Sequence, residues 1–218
     1  ALLRAAVNQE GSLLARGRGR SYGDSANAHK VLATSYCNHF IDFDEHTGKI
    51  TAESGITLRE ILTVIVPKGW FLPVTPGTSY VTLGGAIASD VHGKNHHISG
   101  TFGQHVTSLN LVLGNGKLIT ASKHENADLF HATCGGMGLT GVIVSATIQL
   151  IAIRSSFINQ KTIKADCIEA ACESFEDNSN STYSVAWIDC LAKGKSLGRS
   201  VLMLGEHAEE GGLEIDLK

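Results

Sequence analysis

Three short segments of this chain are rich in glycine, and those segments limit what it can fold into. The first reads Arg16-Gly17-Arg18-Gly19-Arg20-Ser21-Tyr22-Gly23-Asp24. Its glycines let successive backbone N–H groups turn inward as a concave anion nest, to which Ser21 adds a hydroxyl donor. The same spacing also suits a tight surface turn with solvated arginines, because Gly-x-Gly alone is a weak signal. A Rossmann-type fingerprint is disfavoured, since no clear helix follows: residues 22–28 include Gly23, Asp24 and Asn27. The second segment is Pro76-Gly77-Thr78 followed by Thr82 to Asn95. Gly84, Gly85, Ala86, Ala88 and Ser89 carry almost no side-chain bulk, so backbone can lie against something flat, or a helix can pack closely on a sheet. The third, Gly135-Gly136-Met137-Gly138-Leu139-Thr140-Gly141, feeds a strand and on its own could be a helix C-cap and turn. Three such loops within residues 1–150 favour one large bound group over three unrelated turns.

Between the loops the pattern alternates strand and short helix. Residues from Ala1 to Gln9 read as the end of an amphipathic helix, and Ser12 to Ala15 as a short strand. Phe40 to Phe43 and Lys49 to Glu53 read as strands around a turn at Asp44 to Gly48. Thr57 with Glu60 three residues on forms a capping box, predicting a helix through Leu58, Ile61, Leu62 and Ile65 that Pro67 and Gly69 stop. Leu83 to Asp90 reads as a short helix. Gly114-Asn115-Gly116 joins two strands as a hairpin. Asn126 to Thr133 reads as a helix, and Val142 to Leu150 as an alternating strand. After Leu150 the glycine-rich texture stops: Asp166 to Phe175 looks helical and Tyr183 to Leu191 strand-like. These mixed elements indicate an α+β fold, with residues 1–150 as one domain and 151–218 as the beginning of another.

Composition excludes some functions. A net charge of -3 gives no case for a nucleic-acid partner. No apolar run is long enough to span a bilayer. Ala1 opens directly into a helix-like stretch without an initiator Met, which suggests a fragment. Five cysteines without a Cys-x-x-Cys indicate reduced thiols in a cytoplasm-like compartment rather than a disulfide framework. His92, His96 and His97 lie within six residues, with His105 further on. No carboxylate or cysteine cluster completes a metal site there, so no metal is expected. His92, among small residues, is the better candidate for a cofactor or substrate contact, while His96 and His97 suit hydrogen bonds that hold the loop.

The three loops, in this order, resemble the FAD-binding domain of the vanillyl-alcohol-oxidase-type (PCMH-type) flavoproteins, and within them the decaprenylphosphoryl-ribose 2'-oxidases. The segments carrying the resemblance are ARGRGRSYGDSA, PGTSYVTLGGAIASDVHGKNHHISGTFGQHV, GGMGLTGVIVSATI and YSVAWIDCLAKGKSLGRSVLMLGEHA. The resemblance implies two small α/β subdomains that hold FAD, whose first strand would precede Ala1, followed by a truncated α+β substrate domain. It implies that Arg16, Gly17, Arg18, Gly19, Arg20, Ser21, Tyr22, Gly23, Asp24 and Ser25 wrap the diphosphate. Gly77, Thr82, Leu83, Gly84 and Gly85 would line the flavin and its ribityl chain. Ser89, Asp90, Val91 and His92, with Asn95 beyond, would pass near the ring system, and Ile143 would meet the adenine side through its backbone. Many relatives tether FAD through a histidine in the diphosphate loop; Arg20 stands at that position and cannot form the bond, so non-covalent FAD is expected.

The implied reaction takes hydride from a sugar secondary hydroxyl to flavin N5, leaving a ketone. The substrate would be the 2'-hydroxyl of a polyprenyl-phosphoryl ribose, in cell wall biosynthesis. His92 is the candidate catalytic residue in this chain, and the main base would lie outside it. A free sugar-alcohol or aldonolactone oxidase, and a non-catalytic flavin-binding module, are the competing readings. A keto-sugar reductase partner and peripheral membrane association of a cytoplasmic protein are implied by the resemblance alone.

Overall fold

The computed structural model describes residues 13–215. The helix expected over Ala1 to Gln9, and Ser12, lie outside the described residues. In chain order the elements begin with β1 (Leu14–Arg16), β2 (Val31–Ala33), β3 (Phe40–Asp44), β4 (Lys49–Glu53), α1 (Leu58–Ile65) and β5 (Trp70–Phe71). There follow α2 (Leu83–Ala88), α3 (His96–Ser99), β6 (Val106–Val112), β7 (Leu118–Ser122), α4 (Ala127–Thr133), β8 (Val142–Gln149) and β9 (Ile151–Ala152). The last are β10 (Ile158–Ala165), α5 (Ile168–Asp177), β11 (Tyr183–Ile188) and β12 (Ser200–His207). The architecture is α+β.

A five-stranded sheet in the order β3-β4-β8-β6-β7 forms the centre, and every neighbouring pair is antiparallel. Its buried face carries Ile50 and Ala52 from β4, Leu109 and Leu111 from β6, and Ala146 and Ile148 from β8. Helix α1 packs Leu58, Ile61 and Ile65 onto the same core, and α2 packs Leu83, Ala86 and Ile87. The capping box at the start of α1 is formed on both sides. Glu60 N–H donates to Thr57 Oγ1 at 3.2 Å, and Thr57 N–H donates to the Glu60 carboxylate at 2.8 Å. These two bonds satisfy backbone donors that have no partner inside a helix. Helix α2 has a simpler cap, in which Gly85 N–H donates to Thr82 Oγ1 at 3.2 Å.

Strand β8 departs from unbroken alternation. Its pairing with β6 steps from Ser145↔Asn110 to Ile143↔Leu111, so Val144 is an extra residue. Such a bulge re-aims the side chains beyond it. Val142 and Ile143 are consequently both buried, and the Val144 carbonyl accepts from Ser54 N–H at 2.8 Å. Other limits shift for local reasons. The helix expected to Asp90 ends at Ala88, because Asp90 adopts φ 41. The strand expected to Leu191 ends at Ile188, where Asp189 accepts from Leu191 N–H and pairs with Arg199.

Three smaller sheets accompany the centre among the described residues, the least of them the antiparallel pair of β5 and β9, Trp70↔Ala152 and Phe71↔Ile151. β1 and β2 form a parallel pair, Leu14↔Val31 through Arg16↔Ala33. β10, β12 and β11 form a separate antiparallel sheet in that order, with α5 against it. That sheet is tied back to the glycine-rich region: Ser184 N–H donates to the Lys94 carbonyl at 2.9 Å, and His97 Nε2 donates to the Ser181 carbonyl at 2.9 Å.

Candidate functional site

A cleft of about 740 Å³ opens where the three glycine-rich segments meet. That volume lies in the upper part of the range for pockets that hold organic ligands, roughly 300–1,000 Å³.

One wall is the arginine-bearing loop. Arg16, Gly17, Arg18, Gly19, Arg20, Ser21, Tyr22 and Ser25 line the cleft, whereas Gly23 and Asp24 do not. Backbone N–H groups from Arg18 to Tyr22 have no partner among the described residues, which leaves them able to meet an anion. The loop is anchored at both ends by the β1–β2 pair, and the Thr34 hydroxyl donates to the Arg16 carbonyl at 3.3 Å. Two guanidiniums flank one aromatic ring: Arg20 lies 5.8 Å and Arg59 5.3 Å from the centre of Tyr80. Burial would push the Glu60 carboxyl up, but hydrogen bonds from Thr57 and the charge of Arg18 hold it below its ordinary value.

The second wall is the start of α2. Its first-turn donors are already used: Leu83 N–H binds the Ile56 carbonyl, Gly84 N–H the Ser54 carbonyl, each at 2.8 Å, and Gly85 N–H the Thr82 hydroxyl. This wall therefore supplies smoothness rather than amides. Two close approaches require glycine here. A Cβ on Gly17 would lie 2.3 Å from Thr82 Oγ1, and one on Gly84 would lie 2.8 Å from Ser54 Cβ. Gly77, Thr82, Gly84 and Gly85 face the cleft, while the Leu83 side chain is in the core.

Beyond the C-terminal end of α2, Ser89, Val91 and His92 line the cleft. Asp90 turns away and accepts from Gly103 N–H at 2.7 Å. Asn95 is also outside it: its buried amide donates to the Pro73 carbonyl at 2.7 Å and to Ser99 Oγ at 3.0 Å. These bonds fix the turn that carries His92. The His92 backbone bridges to Thr101, and its ring meets His96 edge-on at 5.8 Å between centres. His96, His97 and His105 each bind a backbone carbonyl, those of Gly100, Ser181 and Ser99. Among the described residues, no three metal-ligating side chains converge.

The third segment packs on α2, with Gly135 N–H donating to the Ile87 carbonyl and Met137 N–H to the Ala88 carbonyl. Met137, Gly138 and Gly141 face the cleft, and the bulge in β8 brings Ile143 to it as well. Cys134 sits beneath this segment; burial and the nearby Asp90 charge push its thiol up to about 11, which keeps it protonated and unreactive. All five cysteines are free. Sequence reasoning missed Thr34 and Ser54, which also line the cleft. Neither belongs to a glycine-rich segment, and chain folding alone brings them there.

A glycine-walled cleft, with unpaired amides and arginines at one side and a histidine-bearing turn beyond a short helix, defines an α+β domain built for a large anionic cofactor. The sequence matches the family described as FAD binding domain over residues 1–122, more than half its length, and the chain belongs to that family. It is 39% identical over 215 residues to the decaprenylphosphoryl-beta-D-ribose oxidase of Mycolicibacterium smegmatis, covering 96% of this chain and 46% of the relative. It is 36% identical to an uncharacterized protein in the mprA 5' region of Streptomyces coelicolor, covering 70% of this chain and 41% of the relative. It is 26% identical to the delta(24)-sterol reductase of Homo sapiens, covering 86% and 36%. The chain thus spans less than half the length of these relatives. The donor set fits FAD: the open amides of the arginine loop suit a diphosphate, and the smooth α2 wall suits a flat ring.

Proposed function

We propose that this chain is the flavin-binding part of an FAD-dependent oxidoreductase that oxidises a sugar CH–OH group to a ketone. One observation carries the reading: three glycine-rich segments, separated in sequence, line a single cleft whose arginine loop lies against the N-cap of α2 and whose His92 lies beyond its C-terminal end. Bound there, FAD supplies the two-electron acceptor for alcohol oxidation. The arginine loop holds the diphosphate by backbone N–H donation and charge. Thr82, Gly84 and Gly85 admit the flavin side. His92 orients the substrate hydroxyl or exchanges its proton. The likeness to a decaprenylphosphoryl-beta-D-ribose oxidase supports a polyprenyl-phosphoryl ribose as substrate. Where a keto-sugar product forms, a reductase acting on it is the natural partner.

Binding is non-covalent in this reading, because Arg20 offers no nucleophilic ring nitrogen. Acid denaturation should release all yellow colour into the supernatant; a coloured pellet would refute this. The activity is tested by anaerobic mixing with lipid-linked ribose, a free sugar alcohol and an aldonolactone. Loss of flavin absorbance with the lipid-linked sugar alone is the expected result. Bleaching by the free sugars instead would reassign the substrate, and no bleaching by any would mark an inert flavin module. His92→Ala should retain flavin and lower the bleaching rate about 10²-fold or more.

Among the described residues no helix is long and apolar enough to cross a membrane. For a lipid-linked substrate, the likeness to a decaprenylphosphoryl-beta-D-ribose oxidase supports a peripheral membrane contact of a cytoplasmic enzyme as part of this proposal.

A further inference from the structure

Ser54 stands at the end of β4, outside all three glycine-rich segments. It is 2% exposed, it lines the cleft, and its hydroxyl oxygen is buried without any hydrogen-bond partner. Its backbone is fully used: Ser54 N–H donates to the Val144 carbonyl at the β8 bulge, and its carbonyl accepts from Gly84 N–H, both at 2.8 Å. The residue is thus pinned from both sides, and the hydroxyl alone is uncommitted. A buried hydroxyl without a partner is costly, so such a group calls for a hydrogen-bond acceptor from outside the chain. The surroundings indicate what that is. Gly84 comes so close that a Cβ there would strike Ser54, and Thr82, two residues earlier, leaves even less room beside Gly17 of the arginine loop. The hydroxyl therefore sits across the start of α2 from the loop with open amides. The first turn of α2 has spent its own N–H groups on Ile56, Ser54 and Thr82. On this wall, a donor for an anionic oxygen has to come from a side chain.

We infer that Ser54 is a cofactor-binding residue whose hydroxyl donates a hydrogen bond to a diphosphate oxygen of the flavin dinucleotide. The inference rests on the flavin reading of the cleft. Two properties follow. Removing the hydroxyl costs the empty protein nothing, because it was unpaired there. The same removal costs the complex a bond to a charged acceptor, which is stronger than a neutral one.

The test measures FAD, ADP and riboflavin affinities by titration, together with thermal midpoints with and without FAD, for the wild-type protein and for Ser54→Ala and Ser54→Cys. Cysteine preserves size but donates poorly. Both variants should bind FAD and ADP about tenfold more weakly and riboflavin unchanged. Their midpoints without FAD should equal or exceed the wild-type value. Undiminished FAD affinity would overturn the assignment, as would equal losses for riboflavin and ADP. A midpoint that falls equally with and without FAD would show a structural hydroxyl and overturn it too. If the wild-type protein itself ignores FAD, the flavin reading fails and the inference with it, an outcome plainly distinct from wild-type binding that the variants retain.

Discussion

Gly17 shows how little room individual residues have at this site. Its α-hydrogen faces Thr82, and a methyl group in its place would lie 2.3 Å from the Thr82 hydroxyl oxygen. That hydroxyl caps α2 and cannot rotate away without releasing Gly85 N–H. Gly17→Ala should therefore push the arginine loop outward rather than deform the helix. The expected cost is about 1–3 kcal/mol of folding stability, read from urea unfolding, together with weaker FAD binding. A variant with unchanged midpoint and affinity would show that the loop yields freely. The glycines were legible as a class from sequence, but which of them touches what was not. Gly17 and Gly84 are tight because of Thr82 and Ser54, residues 65 and 30 positions away along the chain, and contacts of that kind arise only on folding. Leu83, Asp90 and Asn95 illustrate the converse. Each lies in a segment that reaches the cleft, yet core packing claims the first, and hydrogen bonds to Gly103 and Pro73 claim the others.

Among the elements, those with local signals were readable. Helix α1 has a capping box and apolar residues at helical spacing, both properties of a few neighbouring residues. The hairpin of β6 and β7 follows from Gly114-Asn115-Gly116. The parallel pairing of β1 with β2 and the bulge in β8 left no such trace, because both depend on which strand lies alongside. Strand β12 carries a consequence of its own. His207 at its end stacks edge-on against Phe71 and Tyr183, and the Tyr183 hydroxyl lies 3.0 Å from His207 Nε2. Burial disfavours the charged imidazole and holds its pKa below the ordinary 6.5, outweighing the Ser155 backbone carbonyl, which would accept from the charged ring, and the Glu206 charge. The folded protein then takes up this proton less readily than the unfolded chain. The contribution to stability is complete above pH 6.5 and is lost as the pH falls through the lowered value. The thermal midpoint of the wild-type protein should drop between pH 7.5 and 5.5 by more than that of His207→Gln. Equal slopes would remove His207 from the account. Burial, followed by the Glu206 charge, likewise pushes Tyr183 up to about 12, so the same strand pair also weakens as the pH climbs from 10 toward 12.

For the molecule as a whole, the cleft draws on segments from Leu14 to Ile143. A group seated there contacts the β1–β2 pair, α2 and β8 together, and so binds the folded state alone. FAD at a hundred times its dissociation constant should stabilise the fold by about 2.7 kcal/mol, seen as a raised melting temperature that saturates with concentration. No shift at any FAD concentration would deny the cleft its occupant. The α+β architecture and the convergence of the three loops were foreseeable, since both follow from composition and order along the chain. The part played by Thr34 and Ser54 was not, because each follows directly on a strand, outside every glycine-rich segment, and reaches the cleft only on folding.

The hydrogen bonds from Ser184 to Lys94 and from His97 to Ser181 couple two regions that sequence keeps far apart. Lys94 is two residues from His92. The sheet and the turn that carries His92, the substrate contact proposed above, are thus hitched together at two points.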